Sequence, residues 1–288
     1  MFLCCFCPGD NTEADKAANE LNNAGGVFQG YKFNSVIGDG GCAAVWEAVE
    51  KSTGETVAIK MSASGKYAEW MAKEFSIMRK FDSPHVVRPM AFVESKTASF
   101  MVMKKYYASL FDLISNGPIV GKDLKHIVKQ IAMGLKGIHD AGYVHRDIKP
   151  ENILYDKHGN TFVIVDFGLT EDEYSMTVRS PVGTSSYIAP EIADGVLHPE
   201  KALLTVGKPV DVYALGQVIY GCITQRNAIP QSKTTREIVR NNIRFDMTPF
   251  IDELSVGDDL KDLLRGMTDQ NPVSRMTIDE VLAHKFLL

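Results

Sequence analysis

No stretch of the chain approaches the roughly 18 consecutive apolar residues that a membrane-spanning helix requires. Cysteine is scarce, five in 288 residues, and an odd number in a chain this long makes no disulfide framework. A strong excess of one charge is also missing. With 31 Lys+Arg against 36 Asp+Glu the net charge is −5, so nothing general attracts nucleic acid, and no nucleic-acid partner is expected. Residue 2 is Phe rather than Gly, which removes N-myristoylation. What is present is ordinary for a globular protein: 45% hydrophobic and 23% charged residues, enough chain for one large domain or two fused lobes. An intracellular, cytoplasmic protein is the expectation.

The first thirty residues stand apart. Cys4, Cys5 and Cys7 crowd an apolar tip, MFLCCFCPGD, that is too short for a secretory h-region and lacks a basic flank. A polar segment ending in Gly25-Gly26 follows. A disordered tail over 1–30 is the plainer reading. S-acylation of the three cysteines is the other, and two acyl chains would hold a soluble domain on a membrane. A thiol metal site is disfavoured, because no His or further Cys lies near in sequence to complete a tetrahedron. Cys42 and Cys222 sit inside regular patterns and read as reduced, packed thiols.

Two architectures follow in order. From Tyr31 to Met103 the text is strand-like with one helix. Val45, Glu47 and Val49 alternate with Trp46 and Ala48, a turn Lys51-Ser52-Thr53-Gly54 follows, and Thr56-Val57-Ala58-Ile59-Lys60 returns as a hairpin partner. Trp70, Glu74, Ile77, Met78 and Phe81 have helical spacing, and Phe100-Met101-Val102-Met103 reads as a buried strand. The second half is helical. Leu124, Ile127, Val128, Ile131, Leu135 and Ile138 make an amphipathic helix that stops near Gly142. Residues 212–223 are apolar almost all round, which predicts a buried helix. Thr277-x-x-Glu280 is a capping box opening a last helix expected to run into Lys285-Phe286. The fold class is α+β, a small β-rich lobe before a larger α-rich one, and ligands favour such junctions.

The chemistry lies in short motifs. Gly38-x-Gly40-x-x-Ala43-x-Val45 is a glycine-rich loop with its third glycine replaced. A Rossmann loop opens a helix, whereas strand text follows here, so this is a hairpin tip able to lay N–H groups over phosphates. By itself it is also compatible with a plain turn. Val57-Ala58-Ile59-Lys60 places a lysine on the next strand, and Glu74 sits on the following helix. A pair of such charges at about 4 Å is worth roughly 4 kcal/mol at an effective dielectric near 20, before desolvation. His145-Arg146-Asp147-Ile148-Lys149-Pro150-Glu151-Asn152 gathers a carboxylate, a cation and an amide within a few residues. The apolar Phe162–Val165 run then ends in Asp166-Phe167-Gly168, a carboxylate suited to magnesium, and Gly183-Thr184-x-x-Tyr187 and Ala189-Pro190-Glu191 follow.

This ordered set resembles the eukaryotic protein kinase family, serine/threonine branch, over residues 31–287. The resemblance implies a bilobal fold with an N-lobe at 31–103, a hinge at 104–107 and a C-lobe at 108–287. It implies transfer of the γ-phosphoryl group of ATP, with Mg²⁺, to Ser/Thr hydroxyls of protein substrates in signalling. Carried over by motif position, Asp147 orients the attacking hydroxyl and Lys149 neutralises charge on the transferred group. Lys60, held by Glu74, takes the α/β-phosphates, and Asn152 and Asp166 bind the metal. Ile37, Gly38, Gly40, Val45, Ala58, Met103 and Leu154 line the nucleotide site. Lys149 and Thr184 match the serine/threonine branch, where that threonine bonds the catalytic aspartate and lysine. Asp211 is expected to tie down the His145-Arg146 turn, and Arg275 to pair with Glu191. Glu151 matches a position that contacts basic residues upstream of the acceptor in some relatives. Two readings compete with the enzyme: a pseudokinase, and a membrane-recruited scaffold of the same fold.

Two departures and a regulatory expectation complete the reading. Ala43 replaces the last loop glycine. Asp211 follows Glu191 by twenty positions, longer than the family usually has, which leaves an inserted loop over 192–210. Arg146 beside Asp147 marks the class in which an activation-loop phosphate, added by an upstream activating kinase, pairs with that arginine. Ser180 is the best-placed acceptor and Thr177 the second, while Glu171, Asp172 and Glu173 are alternative sources of the same charge. No regulatory segment is expected after Leu288.

Overall fold

The computed structural model describes residues 27–28, 30–40, 43–63, 66–94, 98–173, 183–197, 207–229 and 234–288. Cys4, Cys5, Cys7, Cys42, Thr177, Ser180 and residues 198–206 of the loop 192–210 therefore lie outside the described residues. The chain divides into two compact units. The first comprises the residues through Asp82 together with Val86–Tyr107 and Val165–Gly168. The second comprises Ser83–His85, Ala108–Ile164 and Leu169–Leu288.

The first unit is an antiparallel sheet with one helix. Its strands are β1 (Val27–Phe28), β2 (Tyr31–Gly40), β3 (Ala43–Glu50), β4 (Thr56–Ala63), β5 (Pro89–Glu94) and β6 (Ala98–Lys104), ordered β1-β2-β3-β4-β6-β5. β1 lies inside the stretch read as a tail: it pairs Val27 with Lys32 and Phe28 with Tyr31, so regular structure begins before residue 31. Period-two alternation sorts the side chains. One face of the sheet carries Phe33, Ala48, Val57, Ile59, Met61, Phe100 and Val102, a buried apolar cluster against which Trp46 packs. The other face carries Val45 opposite Lys60 and Ala58 opposite Met103. The hairpin therefore does two jobs at once, core on one side and functional groups on the other.

The helix of this unit is Lys66–Met78. Its buried stripe runs Ala68, Met71, Glu74, Met78, a helical spacing. Trp70, expected on that stripe, is 46% exposed and packs edge-on against Tyr67 instead. Phe81 lies beyond the helix end yet is buried, its ring 5.2 Å from that of Phe167.

The second unit is mostly helical. Helix Gly121–Asp140 buries the six apolar residues whose spacing predicts it, and Gly142 follows at φ 80°. Each large side chain so buried contributes about 1.5–3 kcal/mol. Helix Pro209–Thr224 buries every residue from Val210 to Cys222, as expected for a segment apolar all round. Thr277 and Glu280 form the reciprocal capping box, but the helix they open ends at Ala283 rather than running into Lys285-Phe286. His284 is extended, and its Nδ1 accepts the amide of Phe286 at 3.2 Å, so a local side-chain acceptor competes with the helix for that N–H. Between the helices run short antiparallel pairs: β7 (Ala108–Ser109), β9 (Ile153–Asp156) and β10 (Thr161–Ile164) form one sheet, and β8 (Tyr143–Val144) pairs with β11 (Glu171–Asp172). Among the described residues no helix is long and apolar enough to cross a membrane.

Candidate active site

In the first unit three charges meet. Lys60, on β4, places Nζ 2.9 and 2.8 Å from the two oxygens of Glu74 on the helix and 3.2 Å from Oδ1 of Asp166. The amide of Phe167 donates to Glu74 Oε1 at 3.2 Å. Burial pushes the Glu74 carboxyl above the ordinary glutamate range and Asp166 adds to this, while Lys60 and the Phe167 amide oppose it. Asp166 is left-handed, at φ 64°. A non-glycine residue rarely adopts that backbone, and such residues concentrate at functional sites. The ammonium is thus held between two carboxylates, oriented by residues 14 and 106 positions away.

The second unit builds a ring around Asp147. Its Oδ2 lies 2.7 Å from Lys149 Nζ and accepts the Asn152 amide at 2.9 Å. Its Oδ1 accepts the amide and the hydroxyl of Thr184, both at 3.2 Å, and Lys149 also donates to that hydroxyl at 3.0 Å. Asp147, Lys149 and Asn152 are all buried. A single turn of 3₁₀-helix, Pro150–Asn152, returns the Asn152 side chain toward Asp147, whose carbonyl takes its second N–H at 2.9 Å. Gly183 makes the ring possible. At φ 101° a Cβ there would sit 2.9 Å from the carbonyl oxygen of Arg146, so the chain approaches closely only without a side chain.

A buried clamp holds the turn before Asp147. Asp211, in the first turn of helix Pro209–Thr224, accepts the amide of Arg146 at 2.8 Å on Oδ1 and that of His145 at 2.8 Å on Oδ2. His139 Nε2 lies 2.9 Å from the same Oδ2. Burial works against the Asp211 charge, but these hydrogen bonds outweigh it and hold the carboxyl below the usual aspartate range. The clamp stabilises Arg146 at φ 70°. The expected tie between Asp211 and the His145-Arg146 turn is therefore present, and His139 joins it. Sequence reasoning missed His139; the signal was a histidine on the buried face of an amphipathic helix.

A family model described as protein kinase domain matches residues 31–287. The chain belongs to the protein kinase family. Its relatives include the serine/threonine-protein kinase RAD53 of Saccharomyces cerevisiae, 27% identical over 287 residues, covering 94% of this chain and 35% of that protein. A probable serine/threonine-protein kinase, fhkB, of Dictyostelium discoideum is 29% identical over 284 residues, 95% of this chain and 24% of that protein. The calcium/calmodulin-dependent protein kinase type 1B of Rattus norvegicus is 28% identical over 268 residues, 89% of this chain and 75% of that kinase. This chain thus spans about a third and a quarter of the length of the first two. It is a eukaryotic-type kinase domain of the serine/threonine kind, with the α+β architecture of that family.

The remaining kinase positions fall as follows. Gly38 pairs with Val45 and Gly40 with Ala43 across the hairpin, and Ile37 sits at a register shift between Val36 and Gly38. Val45, Ala58, Lys60 and Met103 share the face of the sheet opposite the apolar cluster. Leu154, on β9, belongs to the second unit and pairs with Val163. Asn152 donates through its nitrogen alone, and its buried Oδ1 has no hydrogen-bond partner. That oxygen and, in the first unit, the Asp166 carboxylate are each the kind of hard donor that Mg²⁺ takes. Among the described residues no group of three or more His, Cys, Asp or Glu could hold a metal alone.

Proposed function

We propose that this chain is an active kinase that transfers the γ-phosphoryl group of ATP to Ser/Thr hydroxyls of protein substrates. The observation that carries the reading is the ring at Asp147. A buried carboxylate that receives hydrogen bonds from Lys149, Asn152 and Thr184 is fixed in orientation, as a proton acceptor for an incoming hydroxyl must be. Lys149, beside Asp147, would neutralise charge on the transferred group, and Lys60, aimed by Glu74, would hold the α/β-phosphates. Asn152 Oδ1 and Asp166 would hold Mg²⁺, which when bound neutralises the phosphate charge. Val45, Ala58 and Met103 would supply an apolar face for the adenine, with Ile37 beside them.

The test is transfer of labelled γ-phosphate from Mg·ATP to a mixed Ser/Thr peptide pool, for the wild type and Asp147→Asn. Arg-rich peptides belong in that pool because of Glu151. Signal from the wild type that vanishes in the variant supports the enzyme. Equal signal from both marks a contaminant, and ATP binding without transfer in any phosphorylation state supports a pseudokinase.

A further inference from the structure

Arg146 directly precedes Asp147, and its side chain is 5% exposed. A cation so enclosed needs a counter-charge, since burial alone disfavours it. The structure supplies one from within the chain. Arg146 Nη1 lies 2.7 Å from Oε2 of Glu171. Burial lowers the arginine's proton affinity, and Glu171 and Asp211 raise it.

Glu171 is delivered by backbone structure. β11 pairs with β8 in antiparallel register, Glu171 opposite Val144 and Asp172 opposite Tyr143. The amide of Glu173 donates to the carbonyl of Gly142 at 2.9 Å, and its carboxylate meets Lys208 Nζ at 2.8 Å. The Thr170 hydroxyl reaches the carbonyl of His145 at 3.4 Å. Residues 170–173 are thereby stitched along 142–146, the stretch that leads into the Asp147 ring. Asp211 holds the backbone of Arg146 from one side while Glu171 holds its side chain from another.

We infer that Glu171 is a positioning residue for the catalytic loop, a built-in carboxylate that neutralises Arg146 and orders Asp147 without phosphorylation of the following loop. The inference rests on the kinase reading above. It changes what the arginine beside Asp147 implies, because a phosphate at Ser180 or Thr177 would meet a cation that is already paired, beside a carboxylate of its own sign. Like charges at short range repel, so the gain from such a phosphate is small. Arg146 Nε and Glu171 Oε2 are both buried without a hydrogen-bond partner, so the pair is an ion contact, and Nε is left as a donor for a minor contribution.

The experiment uses the full chain, treated with phosphatase and verified as phosphate-free by intact mass. Four forms are compared in the peptide assay: wild type, Glu171→Gln, Glu171→Asp and Thr177→Ala/Ser180→Ala. Phosphate-free wild type and the double variant are expected to keep activity within about twofold of untreated protein. Glu171→Gln is expected to lose about tenfold in kcat, about 1.4 kcal/mol of barrier, with the KM for ATP unchanged, and Glu171→Asp to recover part of that loss. Thermal unfolding and amide exchange at residues 145–147 show whether Glu171→Gln is folded and locally loosened, as expected, or globally unfolded. The double variant decides should it not fold. Wild-type kcat in a folded Glu171→Gln overturns the inference, as does a wild type that is inactive until its loop is phosphorylated. Asp147→Asn, run alongside, separates the two levels. Transfer abolished by that variant upholds the kinase reading and leaves the Glu171 result to judge the inference alone. Absence of transfer from wild type in every phosphorylation state defeats both.

Discussion

Arg275 and Glu191 meet as a fork on a fork, Nη1 2.6 Å from Oε1 and Nη2 2.9 Å from Oε2, across 84 residues of chain. Both side chains are buried, and Arg275 also donates to the carbonyls of Pro209 and Asp269. The fork fixes the start of helix Pro190–Leu197, and Arg275 further ties it to the start of helix Pro209–Thr224. A planar guanidinium satisfies this geometry and an ammonium does not.

Arg275→Ala is expected to lower stability by about 3–5 kcal/mol, because Glu191 is left as a buried, unpaired charge. Arg275→Lys should recover only part of the loss. Urea unfolding followed by tryptophan fluorescence and circular dichroism measures both. A change below about 0.5 kcal/mol for the alanine variant would show that the pair is not buried in solution.

Lys60 and Glu74 give a catalytic prediction. Lys60→Met should reduce kcat by about 10²–10³, the range for removing one oriented charge from a preorganised site. Glu74→Gln should cost less, because Asp166 still holds Lys60 at 3.2 Å. Steady-state kinetics with varied Mg·ATP separates the two, and equal losses would contradict the shared arrangement.

Asp211 makes stability depend on acid. Its folded pKa lies below the aspartate value of 3.8, so the folded state binds fewer protons than the unfolded state in that window. The clamp's stabilisation is therefore fully present above 3.8 and lost as pH falls through the depressed folded value. Unfolding midpoints of wild type and Asp211→Asn should lie furthest apart near neutral pH and converge as pH falls below 3.8. A gap that stays constant with pH would mean that the Asp211 charge contributes nothing.

Gly134 tests packing on the long helix. A Cβ there would lie 2.7 Å from the backbone oxygen of His85 and 2.9 Å from Ile164 Cδ1, and that same His85 oxygen accepts the Ile164 amide at 2.9 Å. Backbone cannot swing aside as a side chain can. Gly134→Ala is expected to destabilise by about 1–3 kcal/mol despite the better helix propensity of alanine. Gain of stability on thermal unfolding would refute the close approach.

Much of the local structure is legible in the sequence. The apolar spacing of Leu124 through Ile138 predicts the helix that buries them, and Thr277 with Glu280 predicts a cap, because these signals act within a few residues of chain. Trp70 departs from its expected stripe for a related reason. Spacing says which residues share a helix face, while the sheet beside the helix decides which face is covered, and that stripe runs through Ala68 and Met71. The early stop at Ala283 escaped notice because His284 competes through one side-chain hydrogen bond that periodicity does not register.

For the site, the motif order carries the family, and Asp147, Lys149 and Asn152 lie close enough in sequence for Asp147 to meet both of the others. Which charge answers Arg146 is a different kind of question. Glu171, Asp172 and Glu173 stand in a row with equal charge, and nothing in their order distinguishes them. The pairing of Glu171 with Val144 brings its carboxylate to Arg146, and Glu173, past the strand end, turns to Lys208. Short-range order in the chain determined the motifs; the choice among like charges belongs to the tertiary structure, because an ion pair forms only where backbone register brings the partners within about 3 Å.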